Sequence, residues 1–489
     1  MPDDPTVAAF EQARERFIHV LNCKLPERWR SLCLFYVRLS RWETMASIAS
    51  IVVMVDAHIY CDWSELRFSM LREVRQDLDP GVPLQVEFLP GEACPDLTGA
   101  PGSLQPEKDT DIEPLPASQL SKMDGIGRLK MGMSISPKGQ DSIAGTMGGF
   151  VTITRDGVTH QGLLTTYDVV RPFISTATEA DRNGISIDRP SCPNIEIIYP
   201  AIKDARQTMI HAEAEVKELK EQLDKLTERK NNYELVGKEL GLTELERLDI
   251  VQKQLEDCGK ALQAVQGIPF RIGKVIFASG VGFSGTTLLN WAFVEITEPG
   301  VLKFFRRDQM PDVPECQRPY RQLPNTNSHD KIVFYFQGQS LTRIGVLEKG
   351  ECYVMVGRSS GTQVGFCNGT KASCLWRKNK IRYDGNGNAP DAAKITHEYV
   401  VVSEYGIAGR IRDQPFCEPG DSGAFLINPK AEVCGLLYGY MSGTWAEPEW
   451  YVNVGLVTCM KDVSMSIQAL ATPRDAQGNP TGTVELDLP

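Results

Sequence analysis

The period of hydrophobic positions changes along the chain, and each change marks a different element. Over residues 1–90, Val7, Phe10, Phe17 and Val20 fall on one helical face. The run Met45–Val55 is interrupted by Ser47 and Ser50 and is too short to span a bilayer, so Ile51–Val55 is predicted to be a buried strand. Trp63–Asp77 reads as a helix and Leu84–Leu89 as a second strand, giving a small α/β unit. Its polar strand end, with Asp56 and His58, is read as meeting solvent. Residues 91–140 carry Pro95, Pro101, Pro106, Pro114, Pro116 and Pro137 among Gly, Ser and Asp, which predicts a linker.

From Gly148 the runs shorten to strand length: Phe150–Thr154, Gly162–Thr166, Ile195–Tyr199, Lys274–Ala278 and Ala292–Ile296. One segment breaks the series. Met209, Ala212, Val216, Leu219, Leu223 and Leu226 step by three and four, and Leu248, Val251, Leu255, Cys258, Leu262 and Val265 do so again. Two helices joined near Gly237 and Gly241 are therefore expected as an antiparallel hairpin over 203–265, with Thr243 and Glu246 as a capping box. Such an arm suits a protein partner or self-association; the alternative is a solvated insertion packed on itself. After a connecting segment at 301–345, a second strand series follows: Ile332–Phe336, Cys352–Val356, Gln363–Cys367, Tyr399–Ser403, Ala424–Ile427, Val433–Tyr438 and Tyr451–Val457. A helix over Val463–Leu470 and a polar tail at 471–489 close the chain.

Composition narrows the class. The chain has 489 residues, 42% hydrophobic and 24% charged, in the range of globular proteins. Fifty-two basic against 63 acidic residues leave a net charge of −11, which argues against nucleic acid or an anionic membrane as partner. The start, Met1-Pro2-Asp3-Asp4-Pro5, has no basic and apolar leader, so a cytoplasmic, intracellular protein is expected. Thirteen cysteines without a C-x-x-C pair read as reduced thiols rather than a disulfide frame or a zinc site. Asn368-Gly369-Thr370 is then read as a hairpin turn, not a glycosylation site. Asp384-Gly385-Asn386-Gly387-Asn388 lacks the sixth-place glycine and closing glutamate of a calcium loop, so no metal and no cofactor is expected.

The sharpest chemistry lies in Cys417-Glu418-Pro419-Gly420-Asp421-Ser422-Gly423-Ala424. A Gly-Asp-Ser-Gly turn before an apolar strand presents a serine, with the N–H groups of Gly420 and Ser422 as an oxyanion hole and Asp421 and Gly423 supporting the turn. With Gly435-Leu436-Leu437-Tyr438-Gly439, Gly145-Thr146-Met147-Gly148-Gly149-Phe150-Val151 and Val356-Gly357-Arg358-Ser359-Ser360-Gly361, this stretch resembles the chymotrypsin/trypsin-like serine proteases, in particular their intracellular fungal-type relatives. The resemblance covers residues 141–470 less the helical hairpin. It implies a mostly β fold of two six-stranded trypsin-like β-barrels, 141–300 and 346–470. The N-terminal small α/β domain is appended, and the hairpin is inserted in the first barrel.

The same resemblance implies a His, Asp, Ser triad. Ser422 is present. Leu164-Thr165-Thr166-Tyr167-Asp168-Val169-Val170 puts Asp168 at the histidine place, and Asn290-Trp291-Ala292-Phe293-Val294 puts Asn290 at the aspartate place. A carboxylate with an ordinary pKa of about 3.9 is a weak base for serine. His19, His58, His160, His211, His329 and His397 all lie away from the expected site. The expectation is a pseudoprotease that binds a protein or small-molecule ligand in the inter-barrel cleft. The alternatives are an active hydrolase using Ser422 with an unrecognised base, and a repurposed enzyme using Asp168, with Tyr167, as acid and base. Tyr438, Gly439 and Tyr440, with Tyr167, are expected to crowd the pocket.

Overall fold

Residues Pro5–Lys24 form a helix begun by Asp4, whose carboxylate accepts the Thr6 N–H at 2.8 Å. Its apolar face, with Phe10, Phe17 and Leu21, packs over strands β1 (Trp29–Arg38) and β2 (Ser47–Val55). Helix Trp63–Val74 and strand β3 (Leu84–Cys94) follow, and β2 and β3 run parallel, as a strand–helix–strand crossover requires. The structure, a computed structural model, describes residues 4–38, 47–94, 129–171, 177–189, 192–239, 241–266, 270–313, 320–322, 329–331, 338–376, 383–384, 394–403, 415–443, 454–473, 477 and 479–489. The expected strand at Ile332–Phe336 and most of the 91–140 segment, residues 95–128, lie outside them.

The next strands are β4 (Ser134–Pro137), β5 (Gly145–Thr146), β6 (Gly149–Arg155), β7 (Val158–Thr165), β8 (Ile185–Ser186), β9 (Glu196–Tyr199), β10 (Phe270–Ala278), β11 (Gly282–Ser284), β12 (Thr287–Leu289) and β13 (Ala292–Ile296). All but β11 and β12 share one curved sheet, in which β6, β7, β13, β10, β9 and β4 are successive neighbours. The helical hairpin is inserted between paired neighbours β9 and β10, where Tyr199 faces Phe270. Its helices, Ile202–Leu235 and Leu242–Gln266, meet along Leu219, Val251 and Cys258, and Arg229 pairs with Glu244 near the tip. The seam is the one the three-and-four spacing predicts. The second helix begins at Leu242 on the Gly241 carbonyl, which places Thr243 inside the first turn and not at the cap.

The later strands are β14 (Tyr320–Gln322), β15 (His329–Lys331), β16 (Arg343–Ile344), β17 (Cys352–Gly357), β18 (Gly361–Cys367), β19 (Ala372–Trp376), β20 (Tyr383–Asp384), β21 (Lys394–Ser403), β22 (Phe425–Ile427), β23 (Glu432–Gly443), β24 (Val454–Cys459) and β25 (Val484–Asp487). Hydrogen bonding runs from β17 to β18, β21, β24, β23, β22 and back to β17, closing a ring of six strands. The N-terminal unit belongs to this same sheet: β1 pairs with β19 and β3 with β23. A boundary near residue 90 is thus crossed by backbone pairing, because β3 runs on through Gly91–Cys94 to lie against Gly443–Tyr440. Asn368 does not turn a hairpin, since β21 lies between β18 and β19. Its Nδ2 donates to the Leu34 carbonyl at 2.8 Å.

The predicted polar tail is also corrected. β25 adds to the edge of the first sheet against β6, with Val484 and Leu488 buried. Between the sheets, Val151, Leu164, Phe293, Val354, Phe425 and Ile427 share a core with Met460, Val463 and Ile467 of the helix Met460–Ala471. The chain is mostly β, its described cysteines are free thiols, and no described helix is long and apolar enough to cross a membrane.

Candidate functional site

The serine turn sits where the two sheets meet, between buried Phe416 and β22. Gly420 and Gly423 take φ of +105° and +103°, values that a Cβ resists. At Gly423 a Cβ would also lie 2.2 Å from the Thr146 carbonyl. Asp421 closes the turn from within. Its Oδ2 accepts the Glu418 N–H at 2.8 Å, and its Oδ1 accepts the N–H groups of Ser359 and Ser360 at 2.8 and 3.1 Å. Burial pushes this carboxyl above its ordinary value, while those donors hold it down. β17 ends on Gly357 for the same reason: a Cβ there would stand 2.1 Å from Asp421 Oδ1.

Thr146, on β5 of the other sheet, clamps the turn. Its hydroxyl donates to the Gly420 carbonyl at 2.8 Å, and its N–H donates to the Ser422 carbonyl at 2.8 Å. The turn is therefore an inter-sheet joint as well as a place where a serine is presented.

Ser422 is fully buried. Its Oγ lies 2.8 Å from Thr166 Oγ1 and donates to the Tyr438 carbonyl at 3.4 Å. Among the described residues no carboxylate and no imidazole is bonded to that hydroxyl. Asp168, on the short helix Tyr167–Val170, is joined to Asn290 in the link from β12 to β13. The Asp168 N–H donates to Asn290 Oδ1 at 3.2 Å, and Asn290 Nδ2 donates back to Asp168 Oδ2. The two residues that the resemblance would set at the histidine and aspartate places thus meet each other, as a carboxylate and an amide.

Three of the histidines bond elsewhere. His160 meets Glu295 at 2.7 Å across β7 and β13, His397 meets Ser373 Oγ at 3.1 Å, and His211 lies beside Gln207 on the hairpin. The chain matches no protein-family model and no curated protein. Function therefore has to be argued from these contacts.

The expected pocket tyrosines are core residues. Tyr167 is buried with its hydroxyl donating to Asp181 at 2.8 Å, and Asp181 is paired with Arg171. Tyr440 is buried, with its hydroxyl 3.4 Å from Glu92 on β3. Tyr438 is buried, and its hydroxyl faces Glu398, a wholly buried carboxyl whose Oε1 accepts the Leu288 N–H at 3.0 Å. β23 shifts register between Leu437 and Gly439, a bulge opposite β24, and Tyr438 and Tyr440 pack into two different core clusters. The residues that sequence reasoning missed as partners are Thr146, Thr166, Arg358 and Glu398. Thr146 and Arg358 stand inside the stretches quoted for the family resemblance, yet no spacing rule links them to residue 422.

Proposed function

We propose that this chain is a trypsin-like serine-protease homologue that has left ordinary peptide hydrolysis and uses the joint between its sheets to bind a ligand or partner. The observation that carries the reading is the reciprocal Asp168–Asn290 hydrogen bond, together with a Ser422 hydroxyl held by Thr166 instead of by a base. Serine must lose its proton as it attacks, and the hydroxyl of Thr166 is no base at neutral pH. In proteases of this chemistry, losing the serine or histidine costs on the order of a millionfold in turnover, and exchanging the aspartate for asparagine costs roughly ten-thousandfold.

Two features support kinship with the two-barrel fold. The second strand series closes a ring of six, and six strands of the first sheet are successive neighbours with the serine turn between the two. The turn Gly420, Asp421, Ser422 and Gly423, with no base bonded to Ser422 among the described residues, favours binding over turnover.

The test is labelling with a fluorophosphonate beside a Ser422→Ala control. The reagent needs an activated serine and no particular substrate, and no Ser422-dependent label is expected. Labelling at Ser422 would overturn the proposal and make the protein a hydrolase with a base supplied from elsewhere. An activity lost in Asp168→Asn but kept in Ser422→Ala would replace it with the repurposed-enzyme reading.

A further inference from the structure

The helical hairpin reaches the serine turn through its first turn. Asp204 Oδ2 accepts from Arg358 Nε at 2.7 Å, and Asp204 Oδ1 accepts from Arg358 Nη2, with the two side chains 11% and 3% exposed. The neighbouring ion pair of the hairpin root, Arg206 with Asp141, is by contrast 59% and 49% exposed. Arg358 Nη1 lies 2.3 Å from where a Cβ on Gly420 would stand, so the guanidinium is packed directly on residue 420. The rest of the same segment completes the contact. The Arg358 N–H donates to Thr146 Oγ1 at 2.9 Å, the Ser359 hydroxyl donates to the Pro419 carbonyl at 2.6 Å, and the next two N–H groups hold Asp421.

A guanidinium fork on a carboxylate fixes direction as well as distance. A solvated arm that packs only on itself has no use for such a pair at its root, because taking two charges out of water is costly and the loss of one partner leaves the other uncompensated.

We infer that the hairpin root is a working part of the serine-turn site: Asp204, acting through Arg358, positions Gly420 and the N–H groups of Gly420 and Ser422. Asp204 and Arg358 are positioning residues, and a load applied to the hairpin is transmitted to the turn. What that does to a bound ligand rests on the binding function proposed above; the coupling itself does not.

Hydrogen exchange read by mass spectrometry on the full chain tests it. In Asp204→Asn, peptides covering 416–424 and 357–361 are expected to exchange at least about tenfold faster, while those of β6 and β7 stay unchanged. Asp204→Glu, which keeps the charge, is expected to recover most of the protection. Unchanged exchange at 416–424 with a loosened hairpin root would overturn the inference. So would an equal acceleration across both sheets, which would mean that the pair serves global stability alone. Should Asp204→Asn not fold, Arg358→Lys reads the same peptides with the charge kept and the fork lost. A joint that binds no ligand would sink the functional proposal and leave this exchange pattern intact, so the two can fail separately.

Discussion

Asp421 is buried without a cation among the partners described for it, and backbone N–H groups take the cation's place. That arrangement works only while the backbone can come close, which is why glycine is required at 357; glycine at 423 makes room for the Thr146 carbonyl instead. Gly423→Ala would force a Cβ onto the Thr146 carbonyl at an unfavourable φ. A loss of about 3 kcal/mol or more is expected, read as a lower denaturation midpoint. A stability within error of wild type would show that the Thr146 clamp yields easily.

Glu398 belongs to the scale of elements, since its carboxyl ties β21 to β12 through the Leu288 N–H. Burial pushes its carboxyl from an ordinary 4.5 up to about 7. The folded chain therefore holds this proton where the unfolded chain has released it. The stabilisation is complete below about pH 4.5 and is lost as pH rises through 7, with a magnitude on the order of 3 kcal/mol. Asp308, pushed up to about 6 by burial, contributes in the same direction at lower pH. Thermal midpoints followed from pH 5 to pH 8.5 are expected to fall in the wild type. In Glu398→Gln, which imitates the protonated acid, the fall above pH 6 should flatten, and an unaltered slope would count against the assignment.

What could be read from the sequence follows the distance over which each signal acts. The hairpin seam was legible because Leu219, Val251 and Cys258 repeat at local helical spacing. The Gly-Asp-Ser-Gly turn was legible because its conformation is written in adjacent residues. β1 was not, since Leu32 and Leu34 bury one face and Cys33 and Phe35 the other, which erases alternation. Nor were the partners of the site, because Thr166 and Ser422 are 256 residues apart and Arg358 and Asp204 are 154 apart.

At the scale of the whole molecule, β1, β2 and β3 share a continuous hydrogen-bonded sheet with β16–β19 and β21–β24. Removing residues 1–94 would bare the edge of β19 and one side of β23, and exposed edges template aggregation. The truncated chain is expected to be insoluble, and the full chain to lose the strands of both segments in one calorimetric transition. A soluble, monomeric truncation would show that the N-terminal unit is an independent module after all.

The pairing of β25 with β6 carries a different consequence, one of timing. Arg155 meets Val484, a partner 329 residues later in the chain. At a synthesis rate of about 5–20 residues per second, β6 emerges from the ribosome some tens of seconds before the strand that covers its edge. The growing polypeptide must pass that interval with a naked sheet border, and its nascent form is where a chaperone would have most to do.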